Sequence, residues 1–142
     1  MQHVPSPVMV AIGRSLLGLY FLVPGVMKFA AWDMHIGLMQ HHGVGFTAPL
    51  LAFAGAAAII GAGLLFANRF VRFTALGFVL YIILVNVFLH AFWNFEGVDA
   101  AHEMQNFIKN LGILAGLLVL AGYSPMRWPS LSGLARSDAK TA

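Results

Sequence analysis

The sequence predicts an all-α integral membrane protein, a four-helix bundle with both termini on the cytoplasmic side. Three observations carry this. Of 142 residues, 60% are hydrophobic and only 9% charged, the apolar residues gather into four runs, and the basic residues lie mostly on one side of them. A soluble domain is about a quarter charged, and one bilayer crossing takes about 20 apolar residues. The mean hydropathy of +0.83 agrees.

The four spans are residues 8–31, 47–67, 70–93 and 106–123. In span one Arg14 precedes the apolar run, but no small-x-small cleavage signal follows before Lys28, so the segment reads as a retained helix rather than a signal peptide. Gly18, Phe21, Gly25 and Lys28 share one face of it, and Pro24 is expected to kink it. Residues 33–42 are too polar for a fifth span and read as a short interfacial helix or loop, broken by Gly43, Gly45 and Pro49. Ala54, Ala58 and Ala62 recur every fourth position in span two, and Gly112 and Gly116 do so in span four, which predicts close helix approach. Asp99 is the expected N-cap of the last helix, and Ser124-Pro125 ends it. The organisation is then a membrane domain over 1–128 and a short basic tail over 129–142, expected to be disordered.

Four spans place both termini and the turn Asn68-Arg69-Phe70-Val71-Arg72 on one side. Six of the eight Lys and Arg residues lie there, against Lys28 and Lys109 opposite, which makes that side cytoplasmic. The net charge of +3 and pI near 9.7 then reflect loops facing anionic lipid. No nucleic-acid motif accompanies them. The opposite, periplasmic side of a bacterial inner membrane holds Asp33, Glu96, Asp99, Glu103 and the histidines 35, 41, 42, 90 and 102. With no cysteine, the chain has no disulfide, no cysteine-ligated centre and no thiol relay to a quinone.

Polar groups cost several kcal/mol in hydrocarbon unless paired or facing a cavity, so they mark the candidate site. Asn86, His90 and Asn94 are spaced i, i+4, i+8, a stripe descending about 12 Å if span three is helical throughout. On span four Glu103, Asn106 and Asn110 share a face, with Lys109 on its shoulder. Lys28 ends span one at the same height. This predicts a pocket at the outer membrane edge in which Lys28 meets Glu103 or Glu96, and His90 meets Asn106 or Lys109.

Residues 13–28, Gly-Arg-Ser-Leu-Leu-Gly-Leu-Tyr-Phe-Leu-Val-Pro-Gly-Val-Met-Lys, resemble the opening helix of the DoxX family. The stretches His90-Ala91-Phe92-Trp93-Asn94 and Asn106-Phe107-Ile108-Lys109-Asn110-Leu111 are similar to the close of its second half. The resemblance spans residues 10–125, with Arg69 after span two, and implies a four-helix inner-membrane protein linked to respiratory or redox-stress complexes. Many members carry a glutamate in span two where this chain has Gly55-Ala56-Ala57-Ala58. If that carboxylate moves protons in relatives, Glu103 or Glu96 is the replacement here.

The leading functional reading is a membrane subunit supporting quinone-linked electron transfer with a redox partner complex. A quinone carbonyl needs a donor, which His90, Asn94 or Lys109 supplies, and its ring can stack on Trp93, with Asn106 and Asn110 beside it. In this reading His90 relays protons, Glu103 links them to the periplasm, and Lys28 stabilises negative charge. An alternative is copper or haem handling by the rim of Met34, His35, Met39, His41, His42, His102 and Met104, though its spacing matches no closed metal site. A third is a non-catalytic assembly factor whose polar pocket only locks the helices.

Overall fold

The structure is a computed structural model that describes residues 6–138. Five helices follow one another: α1 (Pro7–Ala30), α2 (Trp32–His41), α3 (Thr47–Phe66), α4 (Val71–Phe88) and α5 (Gly97–Tyr123), with 3₁₀ turns at Phe92–Asn94 and Ser132–Ala135. Four spans long and apolar enough to cross a bilayer are present, α1, α3, α4 with the turn after it, and α5. The segment after span one is a helix, α2, rather than a loop. Both ends of the described chain lie at one end of the bundle, called here the terminal end. The α1–α2–α3 connection and the α4–α5 connection lie at the other, the loop end.

The helices form two antiparallel hairpins, α1 on α3 and α4 on α5. Gly18 and Gly25 of α1 are buried, and a Cβ at Gly25 would stand 3.0 Å from the Ala58 Cβ and 3.3 Å from the Ile59 backbone nitrogen. Ala58 and Ala62 form the facing surface, so the expected seam in span two is present. In lipid, where apolar transfer gives no net drive, such backbone approach is what contact energy there is. The Gly112 and Gly116 pair behaves differently: Gly112 faces open space, and only Gly116 touches a neighbour, with its Cβ position 3.8 Å from Leu17. Phe21, Ala62, Leu65, Val71, Phe78, Ile82, Leu117 and Leu120 fill the core where the two hairpins meet.

Two boundaries differ from the sequence reading. α4 stops at Phe88, so His90 and Asn94 leave the helix and the eight-residue stripe does not form. α5 begins at Gly97, about two and a half turns earlier than the apolar run. Gly97 has φ +60, a conformation that a side chain would strain. Its N-cap position is Glu96, whose side chain makes no cap bond, whereas Asp99 lies in the first turn and meets the positive end of the helix dipole.

The tail is the largest correction. Residues 130–138, expected to be disordered, fold back over the turn between α3 and α4. The Asp138 carboxylate accepts from the Val71 backbone N–H at 2.7 Å and from Arg127 Nη1 at 2.6 Å, while its own N–H donates to Asn68 O at 2.7 Å. Arg127 also donates to the carbonyls of Gly133 and Arg136, both at 3.0 Å. The reason is local. Phe70, at the N-cap of α4, has φ 48 and no capping side chain, so the first turn of α4 takes its acceptor from the tail. Residues 139–142, the rest of the expected tail, lie outside the described residues.

Candidate functional site

At the loop end, one carboxylate joins two imidazoles. Glu103, in the second turn of α5, faces His90 beyond the end of α4, with Oε2 2.6 Å from His90 Nδ1. Its other oxygen, Oε1, lies 3.3 Å from Nε2 of His42, the residue after α2. The Asn106 side chain, one turn further along α5, lies beside the same carboxylate. Three separate chain segments therefore meet on one acidic group.

The proton positions follow from what each atom can do. His42 Nδ1 lies 2.8 Å from the Leu38 carbonyl oxygen; a carbonyl only accepts, so Nδ1 is the donor there. Nε2 then meets Glu103 Oε1 attractively only with a proton between them. His90 Nδ1 likewise donates to Oε2, leaving its Nε2 edge on a side chain that is 22% exposed. The carboxylate is 13% exposed and the His42 side chain 4%, so His90 is the member that the membrane edge can reach. Phe95 packs beside His41 and His42, its ring centroid 6.0 and 5.3 Å from theirs.

The other sequence-assigned residues divide. Trp93 and Asn94 are exposed on the 3₁₀ turn, with Trp93 set edge-on to Phe92 and Phe107. Lys109 is exposed on α5 and belongs to no ion pair among the described residues. Lys28 does not join Glu103 or Glu96: its Nζ donates to Pro24 O at 3.5 Å and sits 5.8 Å from the Tyr81 ring centroid. Asn110 is buried and occupied, because Tyr20 Oη donates to its Oδ1 and its Nδ2 donates to Asn86 Oδ1, both at 2.8 Å. Asn86 Nδ2 in turn donates to Phe107 O at 3.3 Å. This chain crosses from α1 through α5 to α4 and serves packing, since all its members find partners inside the bundle.

His42 is the participant that the sequence reading left among the rim residues. The available signal was its position before Gly43, whose φ of +72 turns the chain back toward the bundle. As for the rim itself, no group of three or more His, Cys, Asp or Glu residues among the described residues is arranged to hold a metal ion.

Comparison with known proteins agrees with this architecture. The chain is 29% identical over 123 residues to inner membrane protein YphA of Escherichia coli (strain K12), covering 84% of this chain and 85% of that protein. No solved structure matches it. Residues 9–91 match the DoxX family, a stretch that takes in the Gly13 to Lys28 motif and reaches His90 but stops short of Asn106. With more than half of its length so matched and four spans in place, the chain belongs to the DoxX family and is a multi-pass inner-membrane protein.

Proposed function

We propose that the protein supports quinone-linked electron transfer, with His90 and Glu103 handling protons at the loop end and a redox partner supplying electrons. The observation that carries this reading is the Glu103 carboxylate set between two imidazoles, one of them open to the membrane edge. In such a set His90 can take up a second proton on Nε2 and give it to an acceptor there, its Nδ1–H staying on Glu103 Oε2. When bound, a quinone supplies paired electron and proton transfer. The residues present fit its head group in part: His90 offers a donor, and the Trp93 ring, 57% exposed, offers a flat face. Lys28 and Asn110 have other partners and take no role in this reading, and the proposed orientation puts the loop end in the periplasm.

Quinone extraction beside a thermal melt tests it. His90→Ala, which removes the donor to the ligand, is expected to lower quinone per folded protein about tenfold, as one lost hydrogen bond would, and Glu103→Gln, which leaves that donor without its carboxylate, by less. Unchanged quinone together with a lowered melting point would instead make the cluster a helix lock, the assembly-factor reading. Reporter fusions near Gly97 and after Ala142 test orientation separately, with an outward signal expected only from the first.

A further inference from the structure

A groove on the outer surface of the bundle, at the terminal end, runs between α4 and α5. Arg72 and Leu76 line it from one side, and Leu118, Ala121, Gly122 and Met126 from the other, around about 370 Å³. Arg72 is its one charged group. Arg72 Nε donates to the Ala121 carbonyl at 2.7 Å, which fixes the guanidinium against the wall of the groove. No carboxylate neutralises it: the ion pairs among the described residues are those of Glu103 with His42 and His90, and of Asp138 with Arg127.

We propose that this groove holds one anionic phospholipid, its phosphate on Arg72 and an acyl chain against Leu76 and Leu118. Charge and depth select this occupant. Leu76 is one turn inward of Arg72, and Leu118 one turn inward of Gly122, so the apolar part runs about 6 Å from the cation toward the bilayer interior. Leu76, Leu118 and Met126 are 43%, 49% and 47% exposed, so the wall already faces lipid. Trp128, whose ring lies 6.4 Å from that of Phe73, marks the headgroup level beside Arg72. A planar guanidinium with fixed Nε presents its remaining N–H groups to phosphate oxygens in the paired geometry that they accept. Gly122 keeps the floor open, since a Cβ there would meet nothing within 4 Å.

Native mass spectrometry of the purified protein, equilibrated in detergent with equal amounts of phosphatidylglycerol and phosphatidylethanolamine, tests the site. The first lipid retained is expected to be phosphatidylglycerol by about fivefold, the effect of one basic residue near a charged headgroup. Arg72→Gln brings that ratio near one. Gly122→Leu, which keeps Arg72 on Ala121, lowers retention of both lipids by filling the groove, and it decides the matter if the Arg72 variant does not fold. Equal retention of the two lipids by the unmodified protein, an unaltered fivefold preference in Arg72→Gln, or full lipid retention in Gly122→Leu each overturns the proposal. Inorganic phosphate at millimolar concentration is expected to leave the bound lipid in place; displacement by phosphate alone would show an anion site without a lipid one.

Discussion

The rings of Phe21 and Phe78 lie parallel, 3.7 Å apart between centroids and 4° apart in plane, where α1 of one hairpin meets α4 of the other. The α1–α3 and α4–α5 faces are each long and continuous, whereas the hairpins meet more sparingly, through α3 with α4 and α1 with α5, and this ring stack is the bridge from α1 to α4. Phe21→Ala is expected to cost about 3 kcal/mol, the lower end for a buried Phe→Ala change, because lipid gives no solvent-transfer gain to add. Unfolding in mixed micelles measures it. A loss under about 1 kcal/mol would place the joint between hairpins elsewhere.

Glycines on the same helix should respond with opposite sign. At Gly25 a new Cβ meets the Ile59 backbone, which cannot yield, so Gly25→Ala should destabilise by about 1–3 kcal/mol. At Gly13 the same Cβ meets nothing within 4 Å, and Gly13→Ala should be neutral or stabilising by up to about 1 kcal/mol through helix propensity. Paired melting curves check both. Equal shifts at the two positions would contradict the α1–α3 seam.

The buried chain from Tyr20 through Asn110 to Asn86 gives graded effects. Tyr20→Phe removes one donor and should cost about 0.6 kcal/mol, the average for a hydrogen bond between membrane helices. Asn110→Ala strands both Tyr20 and Asn86 and should cost about 2 kcal/mol. Thermal melts of the two variants and their double mutant read the coupling; strict additivity would mean that the Tyr20–Asn110 bond contributes nothing.

Asp138→Ala should destabilise by about 2 kcal/mol, since it removes the cap on Val71 and leaves Arg127 without its carboxylate. Hydrogen exchange locates the effect. Faster exchange at the start of α4, with α5 unchanged, is expected; uniform acceleration would assign the loss to global stability instead.

The spans were legible because hydropathy over 20 residues overwhelms local detail. Their ends were not. Nothing in Leu89-His90-Ala91 signals a stop, having neither Gly nor Pro, so the spacing of Asn86, His90 and Asn94 read as one helical face, while α4 closes at Phe88. The start of α5 was nearly legible: Asp99 marked the polar beginning of that helix, which opens two residues earlier, at Gly97, without a side-chain cap. Glu103 and His90 were recognisable from their cost in hydrocarbon, but their partner His42 lies 61 residues from Glu103, and only tertiary structure sets such a distance. Lys28 turns back instead to Pro24 O and the Tyr81 ring, which its place at the end of span one did not show. Asp138 was hidden by composition, since one acid in a small, basic segment carries no periodic signal.

The strap over α4 also orders events during synthesis. All four spans precede residue 138 in the chain, yet the first amide of the third span has no side-chain cap until that carboxylate docks. A chain stopped at Trp128 would possess every transmembrane helix and still have Arg127 without its counter-charge and the α3–α4 turn uncovered. Insertion and final locking are thus separate steps. A change made in the last ten described residues acts on the middle of the fold, so a tag or cut placed there for convenience reports on the stability of the third span.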